Sequence, residues 1–197
     1  MLISTATAET ILTSALGAIR RGGDGLNAAL DALPAPIYVT DADGVVTHFN
    51  TACIGFTGRT PKVGKDRWCV TWRLYTDEGE YLPHAECPMA LAIKSGRPVR
   101  GVTAVAERPD GTRVSFLPLP TPVLDEAGSL VGAVNMLIDV TDARQIAELR
   151  AGVRRCLRLI DSIDDRRTVE TLRSMAREYE DKAAELEQRA PLATVAG

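Results

Sequence analysis

The run HAECPMALAIKSGRPVRG, from His84 to Gly101, sets a histidine, a cysteine followed by proline and a methionine within six positions. Each of these side chains can ligate haem iron, and a thiol of lowered pKa can act as a redox sensor. The same residues also suit the start of a helix. His84 can cap it, Pro88 fits a first turn where an absent N–H is not missed, and Met89 and Leu91 then face the core. Helix initiation over Cys87 to Lys94 is the preferred reading, with a ligand role for His84 or Cys87 as the alternative. Trp68 and Trp72 stand four apart; they could share a helical face and lid a pocket, or simply cover the core with their indole N–H groups bonded. Asn135 lies among apolar residues and, if buried, must be hydrogen-bonded, either to a ligand or to a neighbouring loop. Trp68, Trp72, His84, Cys87, Met89 and Asn135 therefore make up the candidate pocket. No catalytic residue and no metal site is assigned: His48 has no nucleophile at a recognisable elbow, and the acidic pair Asp164 and Asp165 reads as capping or surface charge.

The elements that would carry these residues can be read from periodicity. Ile11, Leu12, Leu16 and Ile19 predict a helix over Ala8 to Ile19, ended by the Gly-rich hinge RRGGDG. A short helix then precedes strands at Pro36 to Thr40 and Val45 to Phe49, joined by the DADG turn, and Asn50 is placed to cap a helix at TACIGFTG. Arg59 to Pro83 is irregular. Three more strands follow, at Val99 to Glu107, Thr112 to Leu119 and Leu130 to Ile138, separated by the RPDG and LDEAG turns. The order is α+β: one five-stranded antiparallel sheet with short helices over one face.

Beyond DVTDARQ the chain is helical and charged. Ile146, Leu149, Val153, Cys156, Ile160 and Ile163 follow heptad spacing, as do Val169, Leu172, Ala176, Tyr179, Ala183 and Leu186. The six-residue step from Ile163 to Val169 puts the two stripes out of phase, so DSIDDRRT marks either a hairpin, which is preferred, or a discontinuity in one long helix. Burying each stripe residue is worth about 1–2 kcal/mol, so the first stripe needs a partner, in a second chain, in the tail's other half or in the helix at Ala8 to Ile19. The arginines of the tail interleave with acids, as on a solvated helix face.

The chain has 197 residues, 23 basic against 26 acidic, with a net charge of -3. That balance gives no field to attract nucleic acid or an anionic membrane. No apolar run approaches the roughly 18 residues that span a bilayer, and a cytoplasmic setting is expected. Cys53, Cys69, Cys87 and Cys156 lack paired spacing and read as reduced thiols packed as small apolar residues.

The stretches ALDALPAPIYVTDADGVVTHFNTACIGFTG and GVTAVAERPDGTRVSFLPLPTPVLDEAGSLVGAVNMLIDVTDARQIAELR together resemble a PAS domain, over about Leu26 to Leu149. The resemblance implies a sensory and interaction module that is often dimeric and holds a small molecule or a partner between sheet and helices. It also places Asp139 and Thr141 at the junction that couples the sheet to the outgoing helix. Some relatives hold haem through a histidine on the helix that Cys87 to Lys94 would supply. The light-sensing branch carries an Asn-Cys-Arg-Phe-Leu run, and KDRWCVTW has the cysteine without those neighbours, so covalent flavin chemistry is not expected. The organisation expected is an N-terminal helix and hinge (1–24), a PAS-like domain (25–141), a helical dimerisation and signalling region (142–190) and a disordered tail (191–197). The expected function is signal transduction by a homodimer, with no cofactor or an unknown small molecule in the pocket and no enzymatic activity. A kinase or response regulator is the kind of partner implied, and a haem-dependent gas or redox sensor is the alternative.

Overall fold

Asp41 turns the chain back on itself by accepting, through Oδ1, the backbone N–H groups of Asp43 (3.0 Å) and Val45 (2.8 Å). Gly44 completes the turn at a φ of 81° that other residues rarely adopt. In the computed structural model, which describes residues 5–21, 23 and 25–189, this turn joins β1 (Ile37–Asp41) to β2 (Val46–Phe49). The other strands are β3 (Arg73–Tyr75), β4 (Ala104–Glu107), β5 (Arg113–Pro118), β6 (Thr121–Leu124) and β7 (Leu130–Asp139). The antiparallel order is β2-β1-β7-β5-β4-β3, and β6 also pairs with β7.

The sheet thus has seven strands among the described residues where five were expected. Pro118 and Pro120 bracket a break between β5 and β6, because proline has no N–H to give to a ladder. Leu119 bridges the break by donating its N–H to Met136 O at 2.9 Å. β3, only three residues long, pairs with β4 from within the irregular stretch and had no periodicity to reveal it. Gly101, at φ 72°, precedes the paired residues, so β4 begins at Ala104 rather than Val99.

Helix α1 (Thr5–Arg21) extends past the expected Ala8 to Ile19, buries Ala8, Ile11, Leu12, Ala15 and Ala18, and touches β7. It belongs to the same compact unit as the sheet. Part of the hinge after it, and the terminal segment 191–197 read as disordered, lie outside the described residues. α2 (Leu26–Asp31) leads into β1, and α3 (Ala52–Thr57) and α4 (Pro88–Ser95) pack with the sheet's inner face. Alternation sends Ala133, Asn135 and Leu137 of β7 inward, where Tyr38, Phe56, Leu74, Met89 and Phe116 fill the space. Phe56 and Phe116 meet edge to face at 5.5 Å.

Asn50 does not cap α3, whose N-cap is Thr51 without a side-chain bond. Its amide donates to Leu30 O (3.1 Å) and Ala35 O (2.7 Å), while its Oδ1 accepts from Ile37 N–H (2.9 Å). These longer-range bonds fix the chain's approach to β1, and a buried amide is satisfied more fully there than at an exposed cap.

A second compact unit starts at Val140. α5 (Thr141–Ile160) and α6 (Arg166–Arg189) form an antiparallel hairpin, so the choice left open by the heptad spacing falls to the hairpin. Asp165 caps α6 by accepting the Thr168 N–H at 2.9 Å. Cys156, Ala176, Ala183 and Leu186 are buried, and the rest of both stripes is half-buried. Arg150 pairs with Glu187 at 2.5 Å, and Gly152 lies directly against the Tyr179 ring. Leu157, Leu159 and Met175 remain exposed. No helix among the described residues is long and apolar enough to cross a membrane.

Candidate functional site

A polar cluster lies within the apolar interior. Tyr38, fully buried on β1, donates its hydroxyl to Trp68 O at 2.9 Å. Asn135, opposite it on β7, donates Nδ2 to the Tyr38 oxygen at 3.0 Å. Because the Tyr38 proton is committed to Trp68, the Asn135 amide must present nitrogen there, which leaves its Oδ1 buried without a donor. An acceptor orphaned in this way costs roughly 1–3 kcal/mol. Burial holds the Tyr38 phenol well above its ordinary range.

Trp68 has the positive φ, 68°, that no other non-glycine residue among those described adopts. Such a conformation costs about 1–2 kcal/mol. Several contacts hold it: Trp68 donates its N–H to Gly44 O at 2.7 Å, its ring lies against Gly44, and Arg67 donates to Asp43 O at 2.8 Å. The cations of Arg67 and Lys94 stand 4.7 and 5.6 Å from its ring centroid. The consequence is an inward-facing Trp68 carbonyl.

Two thiols lie beside that carbonyl. Cys87, 1% exposed, takes the N-cap of α4 that His84 was expected to fill, with Pro88 in the first turn and Met89 buried as expected but Leu91 exposed. Its sulfur is 3.9 Å from Trp68 O. Cys69, 4% exposed, lies 3.2 Å from Thr71 Oγ1, which is 3.3 Å from His84 Nε2. The neighbouring Cys87 thiol, with His84 and Thr71 adding to it, lowers the Cys69 thiol to about 5 against the opposing effect of burial. Cys87 is pushed up, first by the neighbouring Cys69 and then by burial. Cys53, also buried, is pushed up to about 12 by desolvation, and its S–H donates to Ile37 O at 3.2 Å.

Of the pocket residues expected from sequence, Cys87, Met89 and Asn135 are interior, Trp68 and His84 are half-buried at its edge, and Trp72 is 51% exposed. Trp72 leaves the set because the two tryptophans do not share a helix: the chain is irregular from Trp68 until β3 starts at Arg73. Tyr38, Cys69 and Thr71 join it. The apolar sequence around Tyr38 and the separation of Cys69 from Cys87 gave no sign of this meeting. Asp139 ends β7 opposite Phe116, and Thr141 opens α5.

The residues do not suit an axial haem ligand. His84 directs Nε2 at Thr71, and Cys87 lies amid packed side chains with its sulfur toward Trp68 O.

A family of PAS fold matches residues 30–145, more than half of the chain, and the chain belongs to that PAS fold family. No curated protein matches it. Among solved structures it is similar to the LOV protein of Rhodobacter sphaeroides, at 15% identity and a TM-score of 0.46, over 92% of this chain and 99% of that one. The LOV domain of a blue-light activated histidine kinase from Erythrobacter litoralis is 23% identical, with a TM-score of 0.41, over 55% of this chain and 98% of that one. A PAS domain from Colwellia psychrerythraea is 18% identical, with a TM-score of 0.39, over 58% and 92%.

Proposed function

We propose that this chain is a cytoplasmic, non-enzymatic PAS-type sensory and protein-interaction module that dimerises through its C-terminal helices and relays a change in its interior through them. The observation that carries this reading is the course of β7. It pairs with β1, β5 and β6, turns Asn135 toward the Tyr38 and Trp68 cluster, and is followed after the single residue Val140 by α5. A movement at Asn135 is therefore a movement of the strand that leads into the helices. On this reading 25–141 is the sensing body and 142–190 the output, with Asp139 and Thr141 at the coupling point. The exposed Leu157, Leu159 and Met175 support a second copy as the partner of the hairpin. A kinase or response regulator would be the downstream partner.

Sedimentation of the full chain tests this, with a dimer expected at micromolar concentration. Leu157→Glu with Met175→Glu should yield a monomer that keeps its helical content. A wild-type protein that is monomeric under these conditions refutes the dimer. The haem alternative predicts a Soret band that His84→Ala or Cys87→Ser alters; the arrangement of both residues leads us to expect no band in any of the three proteins.

A further inference from the structure

Resting on the reading of the tail as a dimerisation region, we propose that the hairpins of two copies pair head to tail along a groove beside Ala176, the loop end of one lying against the open end of the other. The heptad stripes give the need for a second copy. Within one hairpin each helix buries only a narrow line of side chains, and Ile146, Val153, Leu172 and Tyr179 stay half-buried. On one side Val153, Leu157 and Ala176 line an apolar groove of about 310 Å³, flanked by Arg173, Arg177 and Glu180. Leu157 is 51% exposed there, apolar surface that a lone hairpin leaves uncovered.

Charge sets the orientation. The loop half of the hairpin, residues 151–177, holds seven arginines against four acids, a net charge of +3. The open half, residues 141–150 with 178–189, holds seven acids against four bases, a net charge of -3. With 24 residues α6 is about 36 Å long, so the two halves are separated by more than the roughly 8 Å over which physiological salt screens charge. Paired helices lie about 8–10 Å apart. At that spacing a parallel pair sets like charge against like at both ends, and a head-to-tail pair sets opposite charges together. The line of side chains bordering the groove repeats this order: Arg166, Glu170, Arg173, Arg177, Glu180 and Glu187 fall at heptad spacing. Crossing two such lines antiparallel beside Ala176 puts Arg173 opposite Glu180 of the second copy, twice by symmetry. Arg166 and Glu187, which pair within their own hairpin with Glu170 and Arg150, become the outer members of the same ladder. Each α5 then begins beside the loop of the other hairpin, so a change entering at Thr141 is delivered to the second copy.

The test attaches a nitroxide to the full chain through a ketone-bearing residue introduced at Ser174 or at Gln188, both exposed, which leaves the native thiols untouched. Pulsed electron spin resonance reads the distance between copies. Head-to-tail pairing predicts Ser174 labels within about 20 Å of each other and Gln188 labels roughly 35 Å apart, from the rise of ~1.5 Å per residue. Two short distances mean parallel hairpins and overturn the proposal. A monomer in the centrifuge, with no dipolar coupling at either site, refutes instead the dimer on which it rests. Charge reversal reads the contact independently: Arg173→Glu and Glu180→Arg should each weaken the dimer about tenfold, and the double variant should restore it. In a parallel pair like charges already meet at both positions, so equal dimerisation of all four proteins would overturn the Arg173 and Glu180 contact.

Discussion

Replacing Gly152 by alanine sets two effects of opposite sign against each other. On an open helix face the substitution stabilises by about 1 kcal/mol, because glycine is the poorer helix former. In the hairpin, the added methyl would stand 2.8 Å from Tyr179 Cδ2 and 3.0 Å from Cε2. Carbon atoms prefer roughly 3.5–4.0 Å, and forcing a methyl into a packed site costs about 1–3 kcal/mol. Tyr179 is half-buried against α5 and has to swing away. The expected net effect is a loss of about 1 kcal/mol, a fall of about 2–4 °C in Tm for a chain of this size. Far-UV circular dichroism of the full chain during heating and in urea reads it. Tyr179→Ala in the Gly152→Ala background should recover the helix-propensity gain, so the two changes couple in a double-mutant cycle. If Gly152→Ala alone stabilises the tail by about 1 kcal/mol, α5 and α6 do not pack at this level and the hairpin argument is wrong.

Asn50→Ala strips three buried hydrogen bonds and leaves Ile37 N–H and Ala35 O wanting partners, while Leu30 O keeps the Leu33 N–H; a loss of about 2–4 kcal/mol is expected in urea unfolding, larger than for a simple helix cap.

The turns were the most legible part of the sequence, because their chemistry is local. Asp41 and Gly44 act within five residues, and Asp110 likewise accepts the Thr112 N–H at 2.9 Å beside Gly111 at φ 85°. The start of α4 at Pro88 is local in the same sense. Asn50 was assigned a local role, as a cap, and takes a distant one instead. The site was less legible because it is made by the stretch from Arg59 to Pro83, which has no period. Bonds from Trp68 back to Gly44 and across to Tyr38 set its carbonyl beside the Cys87 sulfur. Side-chain spacing carries no trace of such contacts, and the positive φ of Trp68 contradicts what a bulky residue normally prefers. The four-residue spacing of the tryptophans could mean a shared helical face only in a regular segment, and tertiary contacts shape this one instead.

The division at Pro118 and Pro120 also orders the events of synthesis. β1 and β2 can pair as they leave the ribosome, and β3, β4 and β5 can do so later as a separate ribbon, since each of those pairings is within its own set. Among the described strands, β7 alone is bonded to both β1 and β5. Until Leu130–Asp139 has emerged, the nascent chain carries two half-sheets with open edges, the form in which strands are prone to pair with the wrong neighbour. A message cut short before that point encodes an aggregation-prone product, and the helices that would give the module a partner are translated only once the sheet can close.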